Sequence, residues 1–165
     1  MTAPTEEETA VTSRAVVAAD MPPRSKPSHY PPVLAVLMNG RTKQVLGDAF
    51  GLTNFGVNRV ILAPGGVSSL HHRHSRQDEF VYVLEGVATL VTDDGEQEMT
   101  AGMCVGFKAG GTAHHFENRS GNDVIYLEMG DRAPNDAAEY PRDDLAAKLG
   151  PDGRWVFTHK DGTPW

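Results

Sequence analysis

From Val57 onward apolar and polar positions alternate in short runs, the period of two that marks half-buried β-strands. Strands are expected over residues 57–62, 80–84, 87–92, 96–99, 105–107, 114–117 and 124–129. Turn chemistry separates them: Pro64-Gly65-Gly66 stops the first, and Asp93-Asp94-Gly95 folds a hairpin. Short strands with turn signals at roughly 8–12-residue spacing predict an all-β sandwich or barrel. Upstream, the apolar run 33–38 reads either as a strand or as a helical turn, closed by Asn39-Gly40. Downstream, residues 143–149 carry acidic groups early, Lys148 late and Gly150 as a stop, which predicts a short helix. Residues 155–158 predict a last strand, with Trp155 and Trp165 pinning the C-terminal segment to the barrel or capping a pocket mouth. Residues 1–30, acidic and then proline-rich, read as a partly mobile arm that can also lie along a neighbouring subunit; residues 31–165 read as one domain.

Composition narrows the function classes. A chain of 165 residues can bury a core without disulfides, and 39% apolar with 22% charged residues is the balance of a soluble globular protein. A formal net charge of −7 with no basic run argues against nucleic acid as a partner. No stretch approaches the roughly 18 consecutive apolar residues of a membrane helix, and the start lacks a basic segment ahead of an apolar core. One cysteine, Cys104, excludes an internal disulfide framework and suits a reducing compartment, so a cytoplasmic location is expected. Its apolar neighbours predict a small buried hydrophobe.

Three of the seven histidines fall in "HHRH", residues 71–74. Side chains two apart on a strand share a face, so His72 and His74 project together while His71 points away. Glu79 opens the next strand within reach of the same point. Further on, His114, Phe116 and Asn118 share one face of another strand, with His115 on the other. Imidazoles and a carboxylate converging in this way form a mixed nitrogen–oxygen set suited to divalent first-row metals. Outside that set, His71 and His115 read as packed or solvated, Tyr82 as core or interface, and Lys108, Arg59 and Arg119 as solvated charges.

At these positions the chain resembles the cupins, small β-barrels of the jelly-roll type. Gly66, His72, His74, Glu79 and Gly86 fall at the spacing of the first cupin motif, and Gly102, Gly110, His114 and Asn118 follow the second. Lys108 stands where the second motif has proline, and one extra residue precedes the histidine. That insertion leaves His114 and His115 both as candidate ligands; the spacing to Asn118 favours His114. The motifs span residues 66–118, and the stretches "LGDAFGLTNFGVNRV", "DEFVYVLEG", "YLEMGDR" and "HKDGTPW" are similar to small bacterial single-domain cupins often labelled sugar-phosphate isomerases. The resemblance implies a double-stranded β-helix, a homodimer, and one divalent transition metal (Mn, Fe, Ni or Zn) held by His72, His74, Glu79 and His114.

Such a metal leaves positions that a hydroxyketone, enediol or hydroxy acid can chelate. The leading expectation is therefore a metal-dependent enzyme acting on a small oxygenated metabolite, with isomerase-, epimerase- or lyase-like chemistry through a chelated carbonyl or enediolate. The alternatives are an Fe(II)-dependent dioxygenase and a non-catalytic cupin that binds a small ligand. Phe116 and Asn118 are the expected pocket lining, and Glu128, if it points inward, is the candidate general base. A phosphate-bearing substrate calls for clustered Arg or Lys, and the sequence offers no evident cluster. Nucleic acid and membrane are not expected partners.

Overall fold

A computed structural model describes residues 13–25, 28 and 30–165; the acidic start of the arm and His29 lie outside the described residues. The apolar run after Pro31 resolves as a helical turn, α1 (Pro32–Ala35), continued by a 3-10 turn at Val36–Met38. Proline at the first helical position costs nothing there, since its missing N–H would have had no partner. Twelve strands follow among the described residues: β1 (Arg41–Val45), β2 (Phe55–Leu62), β3 (Arg73–His74), β4 (Glu79–Glu85), β5 (Val87–Thr92), β6 (Gly95–Thr100), β7 (Cys104–Phe107), β8 (His114–Glu117), β9 (Val124–Asp131), β10 (Ala137–Tyr140), β11 (Leu145–Leu149) and β12 (Trp155–Thr158).

Two walls face each other. One is a five-stranded antiparallel sheet in the order β1-β2-β9-β4-β7. The other is made of two pieces, β12-β11-β10-β3 and β6-β5-β8, which meet where His72 bridges His114 and Val67 bridges Glu117. At that seam the His72 N–H donates to the His114 carbonyl (3.1 Å) and the His114 N–H to the His72 carbonyl (2.8 Å). Two apolar clusters fill the space between the walls. The larger includes Val60, Leu62, Val83, Met99, Phe107, Phe116 and Tyr126. The smaller gathers Met38, Leu70, Tyr140 and Leu145 under the C-terminal strands.

Three expectations are corrected by this arrangement. Residues 143–149 do not form a helix: β11 occupies Leu145–Leu149 and pairs with both β10 and β12. Its period is two, with Leu145 and Ala147 buried, and that burial outweighs the weak helical pattern of a few charges at its ends. Cys104 is exposed, because it lies opposite Tyr82 on the outer face of the large sheet while Val105 and Phe107 turn inward. Residues 41–45, where no strand was expected, form β1.

The described part of the arm lies along β1. The Arg24 N–H donates to the Lys43 carbonyl (2.7 Å), and the buried Gln44 amide bonds the carbonyls of Ala19 and Met21. This covers a strand edge that would otherwise be free to pair with another chain.

The β4–β5 connection depends on one glycine. Gly86 has φ +81°, and a Cβ there would lie 2.5 Å from the Asp123 carbonyl oxygen. Gly86→Ala is expected to destabilise the fold by ~2 kcal/mol or more, since backbone strain and a clash with fixed main chain add. Thermal melting checks this against Gly102→Ala, where φ is also positive (+90°) but nothing crowds the added methyl. Equal losses would show that the clash is relieved by movement.

Candidate metal centre

The seam between the two halves of the second wall brings the histidines together. The bridge aligns His72 with His114, β3 carries His74, and β4 brings Glu79 across from the large sheet. The Glu79 Oε2 atom lies 3.2 Å from His114 Nε2 and 3.9 Å from both His72 Nε2 and His74 Nε2. His72, His74 and Glu79 each offer a ligand atom within 4.8 Å of the others. Glu79 Oε2 is buried and meets no donor at an acceptable hydrogen-bonding angle. A buried carboxylate oxygen without a partner is costly, and a cation among the three imidazoles would satisfy it. The donor set, three neutral nitrogens and one anionic oxygen, fits a divalent transition metal.

The outer nitrogens fix two of these rings. His72 Nδ1–H donates to the Leu70 carbonyl (3.0 Å), with the Ser69 hydroxyl 3.2 Å away, and the ring stacks on Tyr140. His74 Nδ1 is 2.5 Å from Asp136 Oδ2, and Trp155 meets the same ring edge-on. In each case the Nε2 lone pair is left facing Glu79. His114 is positioned differently. Its Nδ1 is buried without a hydrogen bond, and Phe107 stacks flat on the ring with centroids 3.4 Å apart. Of the two histidines left open by the inserted residue, His114 is the one that faces Glu79.

His115 turns to the other side of its strand. Its Nδ1 is 3.0 Å from His71 Nδ1, and the outer nitrogens of this pair reach Glu117 and Asp93. Both rings are buried, so they are packed and hydrogen-bonded rather than solvated.

Asp136 emerges as a member that sequence reading missed. Its side chain is fully buried and accepts from His74, the Ser75 hydroxyl and the Arg76 N–H. Burial alone would raise its pKa, but the bonds from His74 and Arg76 outweigh this and hold it below the ordinary range. It stands in a loop 62 residues from His74, with no spacing rule to announce it. Asp136→Ala is expected to weaken metal affinity by roughly 10–100-fold, the usual effect of losing a group that orients a ligand histidine. Competition with a chromophoric chelator measures this; unchanged affinity would show that Trp155 and the backbone hold His74 unaided.

Acid is expected to destabilise the protein once its metal has been removed. Burial pushes the His72 imidazole down to about 4, against the opposing pull of Glu79. Burial raises Glu79, but the approach of His114 and the neighbouring imidazoles outweigh it and bring the carboxyl down to about 2. Between pH 6.5 and about 4 the unfolded chain therefore binds a proton at residue 72 that the folded chain refuses. Stability of the chelator-treated protein is expected to fall as pH is lowered through that window, with up to ~3 kcal/mol from His72 alone. A His72→Gln variant should lose that part of the acid sensitivity in melting curves at pH 7 and pH 4.5, and an unchanged slope would assign it elsewhere.

Of the two expected pocket residues, Phe116 lies beside His114 and Tyr126, and Asn118 lies at the turn after β8. Asn118 is buried, donates its amide hydrogens to the carbonyls of Leu62 and Asn122, and accepts from Ser120. With its amide committed to the turn after β8 it has no donor left for a ligand. Phe116 belongs to the apolar core behind His114. Glu128, by contrast, does point inward. It lies opposite Asn58 and Val81, on the face of the large sheet that carries Glu79, Val60 and Tyr126. Its Oε1 accepts from Lys43 Nζ (2.7 Å) and Asn58 Nδ2 (3.0 Å).

A cupin domain model matches residues 58–130, the stretch from β2 to the end of β9. The crystal structure of a sugar phosphate isomerase from a cupin superfamily, from Silicibacter pomeroyi DSS-3, is 42% identical, with a TM-score of 0.86, covering 92% of this chain and 96% of that one. A protein from Acidithiobacillus ferrooxidans ATCC 23270, whose name proposes sugar phosphate isomerase activity, is 29% identical with a TM-score of 0.69, covering 76% of this chain and 80% of that one. The polyketide cyclase RemF from Streptomyces resistomycificus shares the fold at 20% identity and a TM-score of 0.60, covering 74% and 81% of the respective chains. No curated protein matches the sequence. The chain belongs to the cupin superfamily.

Proposed function

We propose that this cupin is a metal-dependent enzyme that moves a proton on a small oxygenated metabolite, with isomerase-like chemistry at a carbonyl. The observation that carries the reading is the unpartnered Glu79 oxygen facing three imidazole nitrogens. His72, His74, Glu79 and His114 would hold the ion. A divalent metal (Mn, Fe, Ni or Zn) bound there supplies Lewis acidity toward a substrate carbonyl or hydroxyl oxygen. The names of the Silicibacter and Acidithiobacillus relatives support an isomerase rather than an oxygen-using enzyme.

In this reading Glu128 takes the proton. Burial would raise its carboxyl, but Lys43 outweighs that and keeps it below the usual range, so it is ionised at neutral pH. Both hydrogen bonds fall on Oε1, which leaves Oε2 as the basic oxygen. Lys43 and Asn58 thereby fix the direction in which Glu128 accepts. Phe107 and Tyr140, packed against His114 and His72, keep bulk water from those rings. The same reading includes a homodimer: the outer face of the large sheet exposes Phe55, Phe80, Tyr82 and Leu84, and apolar area of this kind suits a symmetric contact.

The test is elemental analysis of protein purified without a histidine tag, followed by a screen for solvent deuterium incorporation into α-hydroxyaldehydes and α-hydroxyketones. Near-stoichiometric metal with exchange supports the reading. Metal with oxygen uptake and no exchange replaces it with a dioxygenase. Metal with neither leaves a ligand-binding cupin, and a protein that takes up no divalent ion overturns the metal centre itself.

A further inference from the structure

Beyond the ligands, the inner face of the large sheet carries a group of polar side chains unusual for a barrel interior. Arg41 lies opposite Leu62, and Lys43 opposite Val60; both of these partners are fully buried, so the two cations point into the barrel. Tyr126 stands in the same row as Lys43, one strand beyond Val60. Arg41 reaches across to the Ser68 carbonyl, while Lys43 pairs with Glu128 and keeps its side chain 21% exposed. The Tyr126 hydroxyl is buried and has no hydrogen-bond partner. Ser68, whose hydroxyl accepts the Phe116 N–H, is its nearby polar neighbour.

By register Tyr126 shares the inward face of the large sheet with Glu79, Glu128, Arg41 and Lys43. Glu79 and Glu128 offset Arg41 and Lys43, and the Asp136 carboxylate stands behind His74, so a bound divalent ion leaves the interior with a net charge of about +1. A neutral sugar has no use for that excess, whereas an anionic group neutralises it. Arg41 and Lys43 can donate to its oxygens, and a further substrate oxygen can occupy the unmet Tyr126 hydroxyl.

We propose that Arg41, Lys43 and Tyr126 form an anion-recognising wall, so that the substrate is a small α-oxygenated compound carrying a phosphate or carboxylate. This rests on the metal-dependent reading above. It deepens that reading by supplying the basic groups that the sequence did not reveal as a cluster.

The test is calorimetric titration of the metal-loaded protein with three matched probes: dihydroxyacetone, hydroxypyruvate and dihydroxyacetone phosphate. At least one anionic probe is expected to bind tenfold or more tightly than dihydroxyacetone. Arg41→Met and Lys43→Met should each erase most of that advantage at unchanged metal content, and Arg41→Lys should retain part of it. A preference for dihydroxyacetone phosphate identifies phosphate as the anion, and a preference for hydroxypyruvate identifies carboxylate. Equal affinity for the neutral and anionic probes in a stoichiometrically loaded protein overturns the anion wall while leaving the metal centre standing. A wild-type protein that cannot be loaded overturns both.

Discussion

Glu79→Gln is expected to yield a folded barrel that loses its metal on dialysis against a weak chelator, with affinity reduced well beyond the roughly 10–100-fold of a supporting residue. The substitution keeps the volume and removes the charge. Three imidazoles remain, and loss of the neighbouring negative charge disfavours an added proton on any of them, so the variant carries no new buried cation to unfold it. What it lacks is the anionic oxygen that makes occupation by a divalent ion favourable in a site cut off from water. His114→Ala should behave similarly, with an added loss of stability because Phe107 stacks on that ring. Elemental analysis of the dialysed variants decides the matter. Full occupancy in both would remove the metal centre from the account, since neither the carboxylate nor the nearest imidazole would then be needed.

The second large effect is expected at Glu128. Glu128→Gln should lower the rate of solvent proton exchange into substrate by about 10²–10⁴-fold, the usual contribution of a positioned general base. Metal content should stay at the wild-type level. An amide can still accept from Lys43 and Asn58 through its oxygen, so local structure should hold. What disappears is the basicity of the second oxygen. Binding of a non-exchanging substrate analogue should change little, which separates proton transfer from recognition. A uniform rise in KM with an unchanged turnover rate would reassign Glu128 as a counter-ion for Lys43 and move the base elsewhere.

The barrel strands were legible because alternation was strong and the turns were marked: residues 87–92 and 114–117 coincide with β5 and β8. Short segments with mixed signals were not. Arg41-Thr-Lys-Gln-Val45 has no apolar alternation, because two of its three inward positions are cations and its buried outward residue is Gln44. A pattern rule built on hydrophobicity cannot see a strand whose interior face is polar by purpose, and the Arg41/Lys43 pair was hidden with it. Residues 143–149 failed for the reverse reason: helix-end charges were visible, while the partners that make β11 a strand lie on β10 and β12.

In the site, parity along the strands separated His72 from His71 and His114 from His115. Asn118 sits at its motif position, but its work there is to hold a turn. Asp136 could not be found, since only the fold carries a loop carboxylate to the back of His74.

The seam at His72 and His114 has one further consequence. The second wall is two separate ribbons joined side by side through a few main-chain bonds, and the ligand side chains stand on both sides of that joint. An ion gripped by His74 on one ribbon, His114 on the other and Glu79 from the opposite wall would act as a rivet through three plates. Loading would then do more than prepare chemistry: it would determine whether the two ribbons move as one rigid panel or shear past each other.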